Sequence, residues 1–252
     1  MAFAQTAARR PIAGAVATLG VSDRVAFLRK TYGLLGVALI AFAVLTGGLM
    51  GLATDFSMAF TRWALHGYDW LLVLGAFMLI GMVAQRLAQS ETSPALQYLG
   101  LGIAVVAEAI LLQPMLWILM IKFGDGAHLG MSHKAAGILL EAVVITLAIF
   151  IGLTAVVFVT KKDFSFMRGV LTICAFGAMG VIVASLVVGF SLGAVFSGFV
   201  ILLMAGYILY QTSLIMSYFP PTAYVAAALM LFSTIATLFW YVLRILMQLN
   251  RR

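Results

Sequence analysis

Seven long apolar runs, separated by short stretches that gather the charged residues, set the pattern of this chain. The runs are Tyr32–Ala53, Trp70–Gln85, Tyr98–Ile121, Ala135–Thr160, Gly169–Phe190, Leu192–Met216 and Ala223–Met247. A helix needs ~20 apolar residues to cross a bilayer, and these runs approach or exceed that length. None shows the ~10-residue alternation of a membrane strand. The pattern predicts an all-α polytopic membrane protein: a seven-helix transmembrane bundle over residues 31–252, preceded by a cytoplasmic arm over residues 1–30. The connections carry the punctuation. Asp55, Arg62 and His66 fall in the first, and Arg86, Glu91 and Pro94 mark the second. Gly124 and Gly126 break the helix before the third, which holds Lys122, Asp125, His128, His133 and Lys134. Lys161, Lys162 and Asp163 make the fourth, and the fifth is a brief break at Ser191. Pro220–Pro221 stops the sixth helix, since proline has no N–H to donate and restricts the residue before it.

Composition sharpens this picture. The chain is 64% hydrophobic and 9% charged, where soluble domains average ~25% charged. Residues 169–243 contain no Asp, Glu, Lys, Arg or His. An unpaired charge at the bilayer centre costs at least ~2.5 kcal/mol, so lipid-spanning segments exclude charges that have no task. The net charge of +7 points to membrane orientation and anionic lipid, and no basic-aromatic module suggests nucleic acid. Arg9, Arg10, Arg24, Arg29, Lys30, Arg86, Lys161, Lys162 and Arg168 share one side; Arg62, Lys122 and Lys134 share the other. The positive-inside rule then places the N-terminus in the cytoplasm. Seven crossings bring Arg251–Arg252 out on the far side, whereas a last segment that dipped in and returned would keep them inside. The arm is Ala-rich, Arg-bearing and nearly acid-free, so a mitochondrial transit peptide stands beside the loose cytoplasmic arm as a reading.

Enzymatic chemistry finds little to work with. All three histidines fall in connections, the last run has no Lys for a Schiff base, and no buried Ser has a helix-borne base. Asp125, His128 and His133 lack a fixed helical spacing, which favours a solvated loop over a metal centre. Cys174 reads as a small buried hydrophobe. No enzyme, cofactor or metal is expected.

The charges that do enter apolar runs need explaining. Glu108 sits about three turns from Tyr98, close to mid-depth, and Glu141 about two turns into its run. One reading is a proton- or cation-handling site, the default for an intramembrane acid. The other is a neutral, hydrogen-bonded Glu or a structural pair with Arg244, the sole charge in the last run. Arg244 can alternatively snorkel to the interface. Gln113–Pro114 can bend the third helix and free a carbonyl for a cation.

Four stretches, in order along the chain, resemble the transmembrane Bax inhibitor motif family, which includes Bax inhibitor-1 and the bacterial YccA-like proteins. They are Phe27–Leu35, Ile145–Thr154 running into Thr160–Phe166, Gly206–Ser213, and the stretch from Ala227 through Leu238 to Leu246. The resemblance implies a seven-helix fold with the last helix central and surrounded by the others. It also implies calcium leak down a gradient, gated by two aspartates on the sixth and seventh helices that share a proton. Bacterial relatives modulate a membrane-bound AAA protease, which makes such a protease an implied partner, and the bacterial inner membrane becomes the expected location, with the mitochondrial inner membrane as the alternative. Here the implied acid positions hold Gln211 and Thr234, which hydrogen-bond but do not titrate. The ion-pathway candidates are therefore Glu108, Glu141, Gln211, Thr234 and Arg244, and the competing expectation is a non-conducting interaction protein.

Overall fold

The computed structural model describes residues 18, 20–90, 93–124 and 132–250. Eight α-helices follow in order: α1 (Val21–Gly51), α2 (Thr54–Ala64), α3 (Asp69–Ala88), α4 (Pro94–Phe123), α5 (His133–Thr160), α6 (Arg168–Val188), α7 (Ala194–Ser217) and α8 (Tyr224–Leu249). Seven of them are long and apolar enough to span a bilayer, as the pattern predicts. The eighth, α2, lies where a plain connection is expected. It is too short to span and too mixed to register as an apolar run. It folds because its buried face, Ser57, Thr61 and Ala64, packs on α4. Most of the arm, together with Glu91, Asp125, His128 and Arg251–Arg252, lies outside the described residues. α1 begins at Val21, within the stretch read as the arm, so Arg24, Arg29 and Lys30 are carried on its first turns.

The last helix occupies the centre. α8 packs against α1, α3, α4, α5 and α7, while α6 joins the bundle through α7. Of the most apolar stretch of α8, 72% is buried, against 17% for the corresponding stretches of α1, α3 and the α6 span. Leu231, Phe232, Leu238 and Leu243 have no exposed surface. The outer helices keep their apolar side chains outward, as Val37, Ile40, Val44, Ile173 and Phe176 do; lipid is the solvent they are written for.

Lipid supplies little hydrophobic drive for helix association, so close packing and buried hydrogen bonds hold such a bundle together. Gly100 shows the first. A Cβ there would lie 2.5 Å from the Ala84 carbonyl oxygen and 2.7 Å from the Ala88 nitrogen, so α3 and α4 touch backbone to backbone. Gln113 shows the second. Its Oε1 accepts from Ser57 Oγ at 2.7 Å, Ser57 Oγ accepts from Trp117 Nε1 at 2.7 Å, and its Nε2 donates to the Ala109 carbonyl at 2.9 Å. This network ties α2 to α4, and α4 runs unbroken through Pro114. Gln113 is therefore part of the scaffold, while Pro114, which has no N–H, leaves the Ile110 carbonyl without its helical donor. At the far end of α4, Ser132 Oγ donates to the Phe123 carbonyl and accepts from the Ala135 amide, which caps α5.

Asp163 joins two of the family-like stretches. Its Oδ1 accepts from the Ser165 amide at 2.8 Å and from Ser213 Oγ at 3.2 Å, and its Oδ2 accepts from Tyr218 OH at 3.0 Å. Partial burial pushes this carboxyl up, but the hydrogen bonds from Ser165, Tyr218 and Ser213 outweigh it and hold it below the ordinary Asp range. The loop after α5 is thereby fastened to the end of α7.

Two measurements check this. Gly100→Ala is expected to cost about 1–3 kcal/mol in thermal unfolding of the purified protein through overpacking, whereas Gly33→Ala, with nothing within 4 Å of its Cβ, leaves the midpoint in place. Asp163→Asn lowers the midpoint above ~pH 5, and the gap to wild type closes as pH falls through and below ~3.9. A carboxyl depressed in the folded state stabilises only while ionised.

Candidate functional site

A cavity of about 900 Å³, partly open to the outside, is walled by α3, α4, α6, α7 and α8 and the break between α6 and α7. The α4 residues that line it, Ala104, Ala107, Glu108, Leu111, Pro114, Met115, Ile118 and Lys122, follow the three-to-four-residue spacing of one helix face. On α8 the lining residues Ser233, Thr237, Trp240, Tyr241, Arg244 and Gln248 do the same. Most of the wall is apolar. Among the described residues Glu108 is its one acidic residue. It is 8% exposed, and among the described residues its carboxylate takes part in no hydrogen bond or ion pair.

Arg244 lines the same cavity but does not pair with Glu108. Its Nη2 donates to the Leu192 carbonyl at 3.1 Å, and Gln248 Nε2 reaches the same oxygen at 3.4 Å. The break between α6 and α7 leaves carbonyls without helical partners, and the guanidinium satisfies one of them. Arg244 thus neither pairs with an acid nor simply snorkels.

Gln211 and Thr234 meet. Thr234 Oγ1 donates to Gln211 Oε1 at 2.9 Å and shares its proton with the Met230 carbonyl at 3.1 Å. Both residues are buried. Thr234 follows Ser233 by one residue, about 100° around the helix, so it turns to α7 while Ser233 turns to the cavity. The pair therefore lies beside the cavity and not in its wall. Glu141 stands apart, exposed on α5 and outside the lining. Cys174 is half-buried on α6.

Toward the N-terminal end of α8 the large cavity meets a void of about 30 Å³, with Gln85 and Leu229 on both walls. Its remaining lining includes Gln89, Phe219 and Met230, and it has room for about one water. Among the described residues no three His, Cys, Asp or Glu side chains gather to hold a metal.

Sequence reasoning passed over Ser233, Thr237, Trp70 and Trp240. For the three on α8 the signal was a spacing of three to four residues back from Arg244, parallel to the face that runs forward from Glu108 on α4; Trp70, on α3, had none. Only packing reveals that those two faces front one void.

Comparison with known proteins agrees with the architecture. Residues 24–251 match a family model described as inhibitor of apoptosis-promoting Bax1. The chain is 30% identical over 242 residues to "Bax inhibitor 1" of Schizosaccharomyces pombe, covering 93% of this chain and 81% of that protein. It is 28% identical over 246 residues to "Protein lifeguard 4" of Mus musculus, covering 94% and 91%. It is 26% identical over 242 residues to the "Golgi anti-apoptotic protein" of Vaccinia virus (strain Lister), with 94% and 91% covered. No solved structure gives a significant match. These relatives are eukaryotic and viral, so they support an integral membrane protein and lend no support to the bacterial inner membrane expected above.

The Gln211–Thr234 contact is directly testable. Thr234→Val strands a buried amide oxygen and is expected to cost about 1–3 kcal/mol in thermal unfolding, whereas Thr234→Ser keeps the donor and most of the stability.

Proposed function

This chain belongs to the Bax inhibitor-1 family of integral, non-enzymatic membrane proteins, and we propose that it leaks cations, calcium among them, along a route through its core. The route runs from the large cavity past Glu108 to the narrowing at Gln85 and Leu229. One observation carries it: Glu108 is buried, faces the cavity and lacks a partner among the described residues. An acid at mid-depth of a spanning helix with no cation beside it is what a transit site for a passing cation requires. A resident calcium would want ~6–8 oxygen ligands. One carboxylate suits a weak site that an ion can leave. Arg244, anchored on Leu192, places a positive barrier near one end of the route.

Gln211 and Thr234 stand where the family resemblance places paired aspartates. Two carboxyls at close range share a proton and so sense pH; an amide and a hydroxyl do not. In this reading the acid has moved from the α7–α8 contact to α4, and the flux has lost the pH gate of a carboxyl pair.

A second reading is an interaction protein that modulates a membrane-bound AAA protease or a survival pathway without transport. The neutral Gln211–Thr234 contact favours it, and the names of the yeast and viral relatives favour the survival branch. Comparing co-purifying proteins with and without residues 1–25 tests the arm as the docking element; an unchanged set removes it.

The deciding experiment is calcium entry into liposomes that hold a calcium-sensitive dye. Wild type is expected to leak. Glu108→Gln lowers the rate by ~10-fold or more, the scale of a lost charge-assisted contact, and Glu141→Gln leaves it unchanged. A wild-type protein that passes no calcium at any pH ends the first reading and leaves the second.

A further inference from the structure

We propose that the large cavity binds a long-chain amine, with the ammonium group on the Glu108 carboxylate and the alkyl chain along the apolar walls of α3 and α6. The inference uses the carboxylate of the proposed route but does not depend on conduction.

Three observations lead to it. The first is the stranded acid. A carboxyl in apolar surroundings holds its charge only when a cation comes within reach, and stays neutral otherwise. Lys122, on the same face of α4, is ~21 Å further along the helix at ~1.5 Å per residue. Arg244, the other cation in the lining, donates to the Leu192 carbonyl and forms no ion pair with Glu108. The protein leaves the place of the counter-ion open, and a ligand can bring one.

The second is the lining. Trp70 and Trp240 stack with ring centroids 6.0 Å apart and planes at 23°, and both front the cavity with Phe77 and Tyr241. Aromatic faces with a single acid make the chemistry that recognises ammonium groups, because ring faces attract a cation while tolerating its alkyl substituents. A fatty acid would set its own carboxylate against Glu108. A neutral alcohol brings no charge to hold the carboxyl ionised. The volume of about 900 Å³ lies near the top of the ~300–1,000 Å³ range of ligand pockets, so a long chain fits.

The third is access. α3 packs on α2, α4 and α8, and α6 packs on α7; these two cavity walls share no extended contact. Their outer faces carry exposed apolar residues such as Leu72, Leu79, Ile173 and Phe176. An amphiphile can therefore enter sideways from the bilayer. The chemistry recognised is that of a primary amine on an alkyl chain, whether from a membrane lipid or free in solution.

The test is saturable binding of radiolabelled hexadecylamine to the full chain in nanodiscs of neutral phospholipid. Unlabelled hexadecylamine and a lipid-derived long-chain base compete, and hexadecanol and palmitate do not. Glu108→Gln weakens binding by ~10-fold or more, as loss of a charge-assisted contact implies, while Glu108→Asp keeps binding within that range. Ala107→Phe, which narrows the cavity beside Glu108 and keeps the acid, weakens it as well. If Glu108→Gln does not fold, the competition series on wild type decides: equal displacement by hexadecanol overturns the proposal. Undiminished binding in a folded Glu108→Gln protein also overturns it. Amine binding by a protein that leaks no calcium sinks the route and keeps this site; leak without amine binding does the reverse.

Discussion

The enclosure of α8 is the constraint on which the rest of the molecule turns. A helix shut away from both water and lipid must find partners for every polar atom among its neighbours. Thr234 finds Gln211, Thr237 returns to the Ser233 carbonyl, and Arg244 finds Leu192. The first and the last of these fix a neighbouring element in place. Arg244 sets the break between α6 and α7 over one end of the cavity, and Thr234 locks α7 against the central helix. The long uncharged stretch from residue 169 to 243 follows from this geometry. It covers most of α6, all of α7 and most of α8, where an extra charge would have neither solvent nor counter-ion.

What the chain revealed in advance follows from length and periodicity. Seven apolar runs announce seven spans, and Pro220–Pro221 announces the gap between α7 and α8. α2 stayed hidden because its buried face is Ser57, Thr61 and Ala64, a face made by hydrogen bonding and small size, not by hydrophobicity. The partners of Arg244 were equally hidden. A backbone carbonyl has no signature in sequence, so a search for acids to match the arginine passes over Leu192. The Gln211–Thr234 contact was legible only through the family resemblance, which located both positions; no spacing within α7 or α8 marks them. The two family-like stretches that end at Phe166 and Ser213 acquire a joint meaning in the fold, since Asp163 binds Ser213. A pattern that reads as two motifs is one fastening.

The charged groups of the interior divide by whether they are answered. Arg244 is satisfied and structural. Asp163, at the membrane edge, is satisfied by three donors. Glu108 is not. Several buried hydroxyls, such as those of Thr31, Thr146 and Ser197, also lack a hydrogen-bond partner, but among the described residues Glu108 is the one acid that faces the large void, and departures from local consistency concentrate where a protein acts. Passage of a metal cation and capture of an organic one are both ways of answering that carboxylate.

The backbone contact at Gly100 has a mechanical consequence. With α3 and α4 welded there at less than van der Waals distance for any added carbon, those helices travel as one slab, and α4 carries Glu108 with it. α6, held chiefly by α7, is the compliant panel. Any change in the chamber's width would fall on that panel, while the α3–α4 contact fixes the depth of the carboxylate.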